Sequence, residues 1–292
     1  MSLRSRRSSA VVAIAAAAVL TMPGTAAASA GYQRYVGLGD SFSAVGTLTK
    51  IRTDPLGCAK TTDNLPAGVA ARVKPAAFVD ISCGAATTEH MTAPQDVVFG
   101  PNAPQFSALT ADTDLVTFTI GGNDVGFGDI VRTCGVASFT DPLGAPCKAH
   151  YTQGGVDELD ARIAAAAPKV AAVLDGIKQR SPRAVIVAVG YLRVLPPTGG
   201  CWPLVPVARG DVVYINEFHR KLNAMVGVEA ARAGARFVDP LPTTGHDACQ
   251  LPWNKWVEGL IPTSLSVPVH PNAAGQAHVA SLVARELAGS AG

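Results

Sequence analysis

The sequence predicts an α/β fold with a parallel sheet covered by helices on both faces. Short apolar runs alternate with helix-like segments along the chain, the pattern of repeated strand–helix crossovers. The runs are rich in β-branched and aromatic residues, as strands are. Residues 31–292 are long enough for one well-buried domain, and neither an internal repeat nor a low-complexity linker divides them.

Five strands are expected, at Tyr32–Leu38, Ala77–Ser82, Leu115–Ile120, Ala184–Val189 and Arg236–Val238. Helices fit Leu65–Val73, Val156–Gln179, Val212–Ala233 and Asn272–Leu287. Pro168 lies inside the second and is expected to kink or divide it. Asn272 is a good cap for the last helix, with apolar positions at Ala277, Val279, Ala280 and Val283. Long loops remain at 49–64, 134–155, 192–210 and 239–268, and each holds at least one cysteine.

Residues 1–30 read as a secretory signal. Arg4, Arg6 and Arg7 precede an uncharged run from Ala10 to Leu20, then Pro23 and the small triplet Ala28-Ser29-Ala30. The run is far short of the ~20 apolar residues that span a bilayer, so no stable membrane anchoring is expected. Ser8-Ser9 follow Arg6-Arg7 where a twin-arginine signal carries an apolar residue, and both export routes stay open. The full chain has a net charge of +2; loss of the three leader arginines leaves about −1. That balance offers no basic face for nucleic acid. A secreted, monomeric protein is expected.

All six cysteines, Cys58, Cys83, Cys134, Cys147, Cys201 and Cys249, lie beyond the leader. An even count in an exported chain reads as three disulfides. Six cysteines allow 15 connectivities. Neighbour pairing closes small loops without threading and gives Cys58–Cys83, Cys134–Cys147 and Cys201–Cys249. No Cys-x-x-Cys and no His pair at i, i+4 occurs, so neither a metal nor another cofactor is expected.

Three blocks sit where an open parallel sheet places its ligand, beyond the carboxyl ends of strands. Gly39-Asp40-Ser41-Phe42-Ser43 follows the first strand, Cys83-Gly84 the second, and Gly121-Gly122-Asn123-Asp124 the third. His270-Pro271-Asn272 enters the last helix. Each alone has an ordinary reading: Ser41 as a cap, Gly121–Asn123 as a turn, Asp124 as a cap, His270 as a packed histidine. Together they supply a nucleophile, a base and oxyanion donors. A serine hydroxyl needs a base, and imidazole titrates near ~6.5. Of the other histidines, His246 adjoins Asp247 and is a rival base. No Gly-x-Ser-x-Gly elbow is present.

These blocks resemble the SGNH (GDSL) hydrolases, and with the leader and six cysteines they look like the secreted actinomycete lipases and esterases of that family. The resemblance covers essentially all of residues 31–292. It implies a three-layer α/β/α, flavodoxin-like fold with a five-stranded parallel sheet. It also implies Ser41 as nucleophile, His270 as general base, and Ser41 N–H, Gly84 and Asn123 as oxyanion donors. Phe42 stands where many members have leucine. The family commonly carries Asp three residues before its histidine, where this chain has Val267. A backbone carbonyl, that of Val267, is therefore expected to orient His270. The rivals are carboxylates from elsewhere, at Asp239, Asp247 or Glu258. The expected substrate is a small-molecule or lipid ester, in particular a fatty acyl ester. Leu192, Val194, Leu195, Trp202, Leu204 and Val205 are candidates to line an acyl site or to serve as loop core. A carbohydrate acetyl esterase, or a binding protein that lost activity, are the alternatives.

Overall fold

The computed structural model describes residues 31–289; the leader reading at 1–30 lies outside them. Five strands, β1 (Arg34–Gly39), β2 (Ala77–Asp80), β3 (Leu115–Thr119), β4 (Val185–Val189) and β5 (Arg236–Val238), form one parallel sheet in the order β2-β1-β3-β4-β5. In register, Val36 of β1 faces Val79 on one side and Val116 on the other. The central strands β1, β3 and β4 are almost wholly buried, which is why they read as continuous apolar runs.

The helices are α1 (Ser41–Ala44), α2 (Leu65–Val73), α3 (Phe127–Ala137), α4 (Pro146–Tyr151), α5 (Glu158–Arg180), α6 (Asp211–Arg232) and α7 (Ala273–Ala288). The β1–α2–β2 crossover runs to one side of β1, while β3–α5–β4 and β4–α6–β5 run to the other. Right-handed crossovers then place α2 on the face opposite α5 and α6. Helix α7 packs on α2, and α5 packs on α6. The strand order reverses between β1 and β3, the switch point where such sheets open a crevice. Among the described residues no helix is long and apolar enough to cross a membrane.

Three expectations change. Helix α5 is continuous through Pro168. The buried stripe on either side, Ile163 and Ala166 before it and Val170 and Val173 after it, holds the helix together where one ladder bond is lost. Helix α4 lies inside the expected 134–155 loop, because the carboxylate of Asp211 in α6 accepts from the N–H groups of Cys147 and Lys148 at 2.9 Å each. That cap comes from a distant part of the chain. Helix α3 buries only Ile130 and Cys134, too narrow a stripe to show as a period. The three disulfides are Cys58–Cys83, Cys134–Cys147 and Cys201–Cys249, as neighbour pairing predicts.

Candidate active site

The turn that carries Ser41 begins at Gly39, whose φ of 124° is open to glycine alone among common residues. A Cβ there would lie 2.5 Å from the Thr119 carbonyl oxygen. The chain leaves β1 and turns into α1, capped by Asp40. Asp40 is buried. One of its oxygens accepts from Phe42 N–H at 2.9 Å and Thr119 Oγ1 at 3.0 Å, the other from Tyr191 Oη at 2.5 Å. Burial raises its carboxyl to about 6 in spite of these donors.

Ser41 is partly exposed at the switch point, and its Oγ lies 2.7 Å from Nε2 of His270. His270 Nδ1 lies 2.7 Å from the carbonyl oxygen of Pro268. A carbonyl only accepts, so Nδ1 carries the proton and Nε2 is left bare to accept from the serine hydroxyl. Burial lowers the imidazole pKa below its usual value.

The orienting carbonyl is thus Pro268, not Val267. Val269 sits in the left-handed region at φ 61°, a strained conformation for a β-branched residue. The turn it makes sends the Val267 carbonyl to His270 N–H, at 3.3 Å, and brings the Pro268 carbonyl under the ring. Neighbouring contacts hold that strain. Glu258 N–H donates to the His270 carbonyl at 3.0 Å, and Val257 bridges Pro271.

Among the described residues no carboxylate bonds His270 Nδ1. Asp239 accepts from Asn223 and from Leu241 N–H, and Asp247 from Cys249 N–H and Gln250. Buried Glu258 staples the histidine loop, accepting from Thr263 N–H at 2.7 Å, Thr263 Oγ1 at 3.0 Å, Ser264 Oγ at 2.7 Å and Asn272 Nδ2 at 2.9 Å. Burial would raise its carboxyl, but these donors outweigh it and hold the group below the ordinary range. The rival base His246 directs Nδ1 at the Asn254 carbonyl, 2.7 Å away, and stacks on Trp256.

The three groups expected to serve as oxyanion donors are unequal. Ser41 N–H has no acceptor among the described residues. Asn123 Nδ2 donates one hydrogen to the Ala86 carbonyl at 2.8 Å, which fixes the amide and leaves its second hydrogen unengaged. Gly84 departs from expectation: its N–H donates to the Cys58 carbonyl at 2.8 Å. A Cβ at 84 would lie 3.0 Å from that oxygen, a tight contact, so glycine eases the approach to the disulfide-linked 58 segment. Asp124 caps nothing in α3; it accepts from Thr88 N–H at 3.0 Å.

Beside the pair lies an apolar cavity of about 390 Å³. Its walls include Phe127, Ile130, Val194, Leu195, Val205 and Val269. Of the loop residues predicted for such a site, Val194, Leu195 and Val205 line it; Leu192, Trp202 and Leu204 do not. Val269 adjoins His270, and Phe127 meets Phe42 edge-on at 6.3 Å, so the cavity abuts the turn that carries Ser41. A more polar cleft of about 520 Å³ runs past Asn123 between Thr87, Thr88, Glu89 and Lys169.

A serine–histidine pair at the switch point of a five-stranded parallel sheet, without a Gly-x-Ser-x-Gly elbow, defines a class: a carboxylic ester hydrolase on a flavodoxin-like frame. Residues 38–278 match the GDSL-like lipase/acylhydrolase family, and the chain belongs to it. It is 38% identical over 251 residues to Lipase 2 of Streptomyces coelicolor, covering 84% of this chain and 83% of that protein. It is 32% identical to Lipase 1 of the same organism, with 90% of each covered. The crystal structure of phospholipase A1 from Streptomyces albidoflavus superposes with a TM-score of 0.70 at 27% identity, covering 88% of this chain and 99% of that one.

Proposed function

We propose that the protein is a secreted, monomeric lipase that cleaves fatty acyl esters of lipids through an acyl-enzyme on Ser41. The observation that carries this is the Ser41–His270–Pro268 chain of two 2.7 Å bonds. Ser41 Oγ attacks the ester carbonyl while its proton passes to His270 Nε2. The resulting oxyanion takes Ser41 N–H and the unengaged hydrogen of Asn123; Gly84 N–H joins only by leaving the Cys58 carbonyl. Collapse expels the alcohol, which takes the proton from Nε2. Water then attacks the acyl carbon and gives a proton to Nε2; collapse breaks the bond to Ser41 Oγ, which takes that proton back as the acid leaves. The imidazolium is stabilised by a carbonyl dipole in place of a carboxylate, so the reaction runs on a dyad.

The apolar cavity beside His270 supports a fatty acyl chain over an acetyl group, and the polar cleft past Asn123 suits the alcohol portion. The leader ending in Ala28-Ser29-Ala30 and the three disulfides support secretion. The test is a chain-length series of p-nitrophenyl esters beside a phospholipid and acetylated xylan. Rates rising into the long chains are expected, with Ser41→Ala inactive and unlabelled by a fluorophosphonate. Turnover of acetylated xylan above every acyl ester would replace this reading with a carbohydrate acetyl esterase.

A further inference from the structure

The rim of the apolar cavity is itself apolar and turned to solvent. Val136, Phe139 and Leu260 line the cavity yet are 66%, 64% and 46% exposed. Beyond them stand Leu204 at 71% and Ile261 at 79% exposed, with Trp202 less so. These side chains come from three chain segments that the fold gathers. Trp202 packs edge-on against Phe139 at 5.8 Å, and its Nε1 donates to Ser138 Oγ at 3.3 Å. Gly259 packs on the next segment, where a Cβ would lie 3.5 Å from Val205 and 3.8 Å from the Leu204 carbonyl. The Cys201–Cys249 disulfide ties the second segment down. Residues 130–139, 201–205 and 259–262 carry one charged side chain, Arg132.

Single exposed apolar residues are ordinary on any protein surface. A gathered set around a cavity mouth, nearly without charge, marks an interaction surface. We propose that this rim docks the protein onto the surface of aggregated ester lipid, so that an acyl chain passes from the lipid into the cavity without crossing water. The proposal rests on the lipase reading above. The occupant follows from continuity: the rim and the cavity wall share Val136, Phe139 and Leu260, so whatever covers the rim also faces the acyl site. Crossing water would cost free energy with every exposed methylene, and a seal around the mouth removes that cost. The tryptophan at the edge suits the boundary between apolar and polar layers.

The experiment uses the double variant Leu204→Ser, Ile261→Ser, whose exposed side chains line neither the cavity nor the dyad, so folding is expected to be unaffected. Binding to dioleoyl phosphatidylcholine vesicles is measured by flotation in a Ser41→Ala background. Turnover is measured on emulsified triolein and on monomeric p-nitrophenyl butyrate. Wild type should float with vesicles, and the double variant should lose about tenfold or more in both partitioning and triolein turnover. Butyrate turnover should stay within about twofold. Unchanged triolein turnover, no vesicle binding by the wild-type rim, or equal loss on both substrates would overturn the proposal. So would a concentration-dependent dimer that the variant abolishes, since a second copy would then be the occupant. Wild-type turnover of butyrate reports on the lipase reading separately.

Discussion

Tyr191 Oη donates to Asp40 Oδ2 at 2.5 Å and accepts the N–H of Gly122 at 2.6 Å. One phenol therefore joins the turn that carries Ser41 to the turn that carries Asn123. Its own backbone is fixed in turn: its N–H donates to Asn223 Oδ1 at 2.9 Å, and its carbonyl accepts from Asn223 Nδ2 and His219 Nε2 at 3.0 Å each. Gly122 is glycine because a Cβ there would lie 2.9 Å from Tyr191 Oη. The relative placement of Ser41 and Asn123 thus depends on a residue after β4.

Tyr191→Phe should be less stable by about 1–3 kcal/mol, the cost of leaving a buried N–H such as that of Gly122 unsatisfied. It should lower kcat more than KM, since ground-state contacts with the ester are untouched. Asp40 also loses a donor that favours its ionised form, so its pKa should move further up. Thermal melts and steady-state kinetics check this; a variant with wild-type kcat would show that the clamp has no part in catalysis.

Asn123→Ala should reduce kcat by about 10²–10³, the usual effect of removing one oxyanion donor, with KM little changed. With Gly84 N–H engaged at Cys58, only the Ser41 N–H would remain in place. A rise in KM at constant kcat would instead assign Asn123 to ground-state binding.

The acid limb of kcat/KM should have its midpoint below the free imidazole value of 6.5, because burial lowers the His270 pKa. The neutral base that catalysis needs then persists to lower pH. A midpoint above 6.5 would require a carboxylate partner after all.

Stability carries a second pH signature. Burial lowers the His219 pKa from 6.5 to about 4, so the unfolded chain binds more protons between those values. Its contribution is full above pH 6.5 and is lost as pH falls toward 4. His219→Gln, which keeps a donor for the Tyr191 carbonyl, should melt below wild type at pH 7. That gap should close as the pH falls from 6.5 to 4. Asp40, raised from 3.8 to about 6, acts with the opposite sign in both proteins and cancels in the difference. A gap independent of pH would contradict a neutral buried His219.

Glu258→Gln should lower both kcat and the melting temperature, because an amide NH₂ placed among Thr263, Ser264 and Asn272 donors leaves at least one unpaired. Asp247→Asn should fall far short of the ~10⁴ loss in kcat that follows removal of a triad carboxylate. A loss of that size would restore a triad in place of the dyad.

Much of this protein is legible in its sequence. Buried parallel strands appear as apolar runs, helix α2 spans Leu65–Val73 as its pattern predicts, and Asn272 caps α7 as its residue type suggests. Ser41, Asn123 and His270 stand at strand ends and a helix entry, and neighbour pairing gave the three disulfides. Such features depend on residue type and short spacing, which a sequence displays directly. The tertiary structure decided which groups each polar atom meets. Val267 and Pro268 both offered a carbonyl to His270, and the choice fell to Pro268 through the left-handed turn at Val269, held by the Glu258 loop. Gly84 faced the site by position, but the fold brought its N–H to Cys58. Helix α4 was hidden because its cap, Asp211, is supplied from another helix. Tyr191 gave no signal because its partners, Asp40 and Gly122, are far from it in the chain. A hydrogen bond is won or lost over a fraction of an ångström, and placement at that scale comes from packing between distant segments.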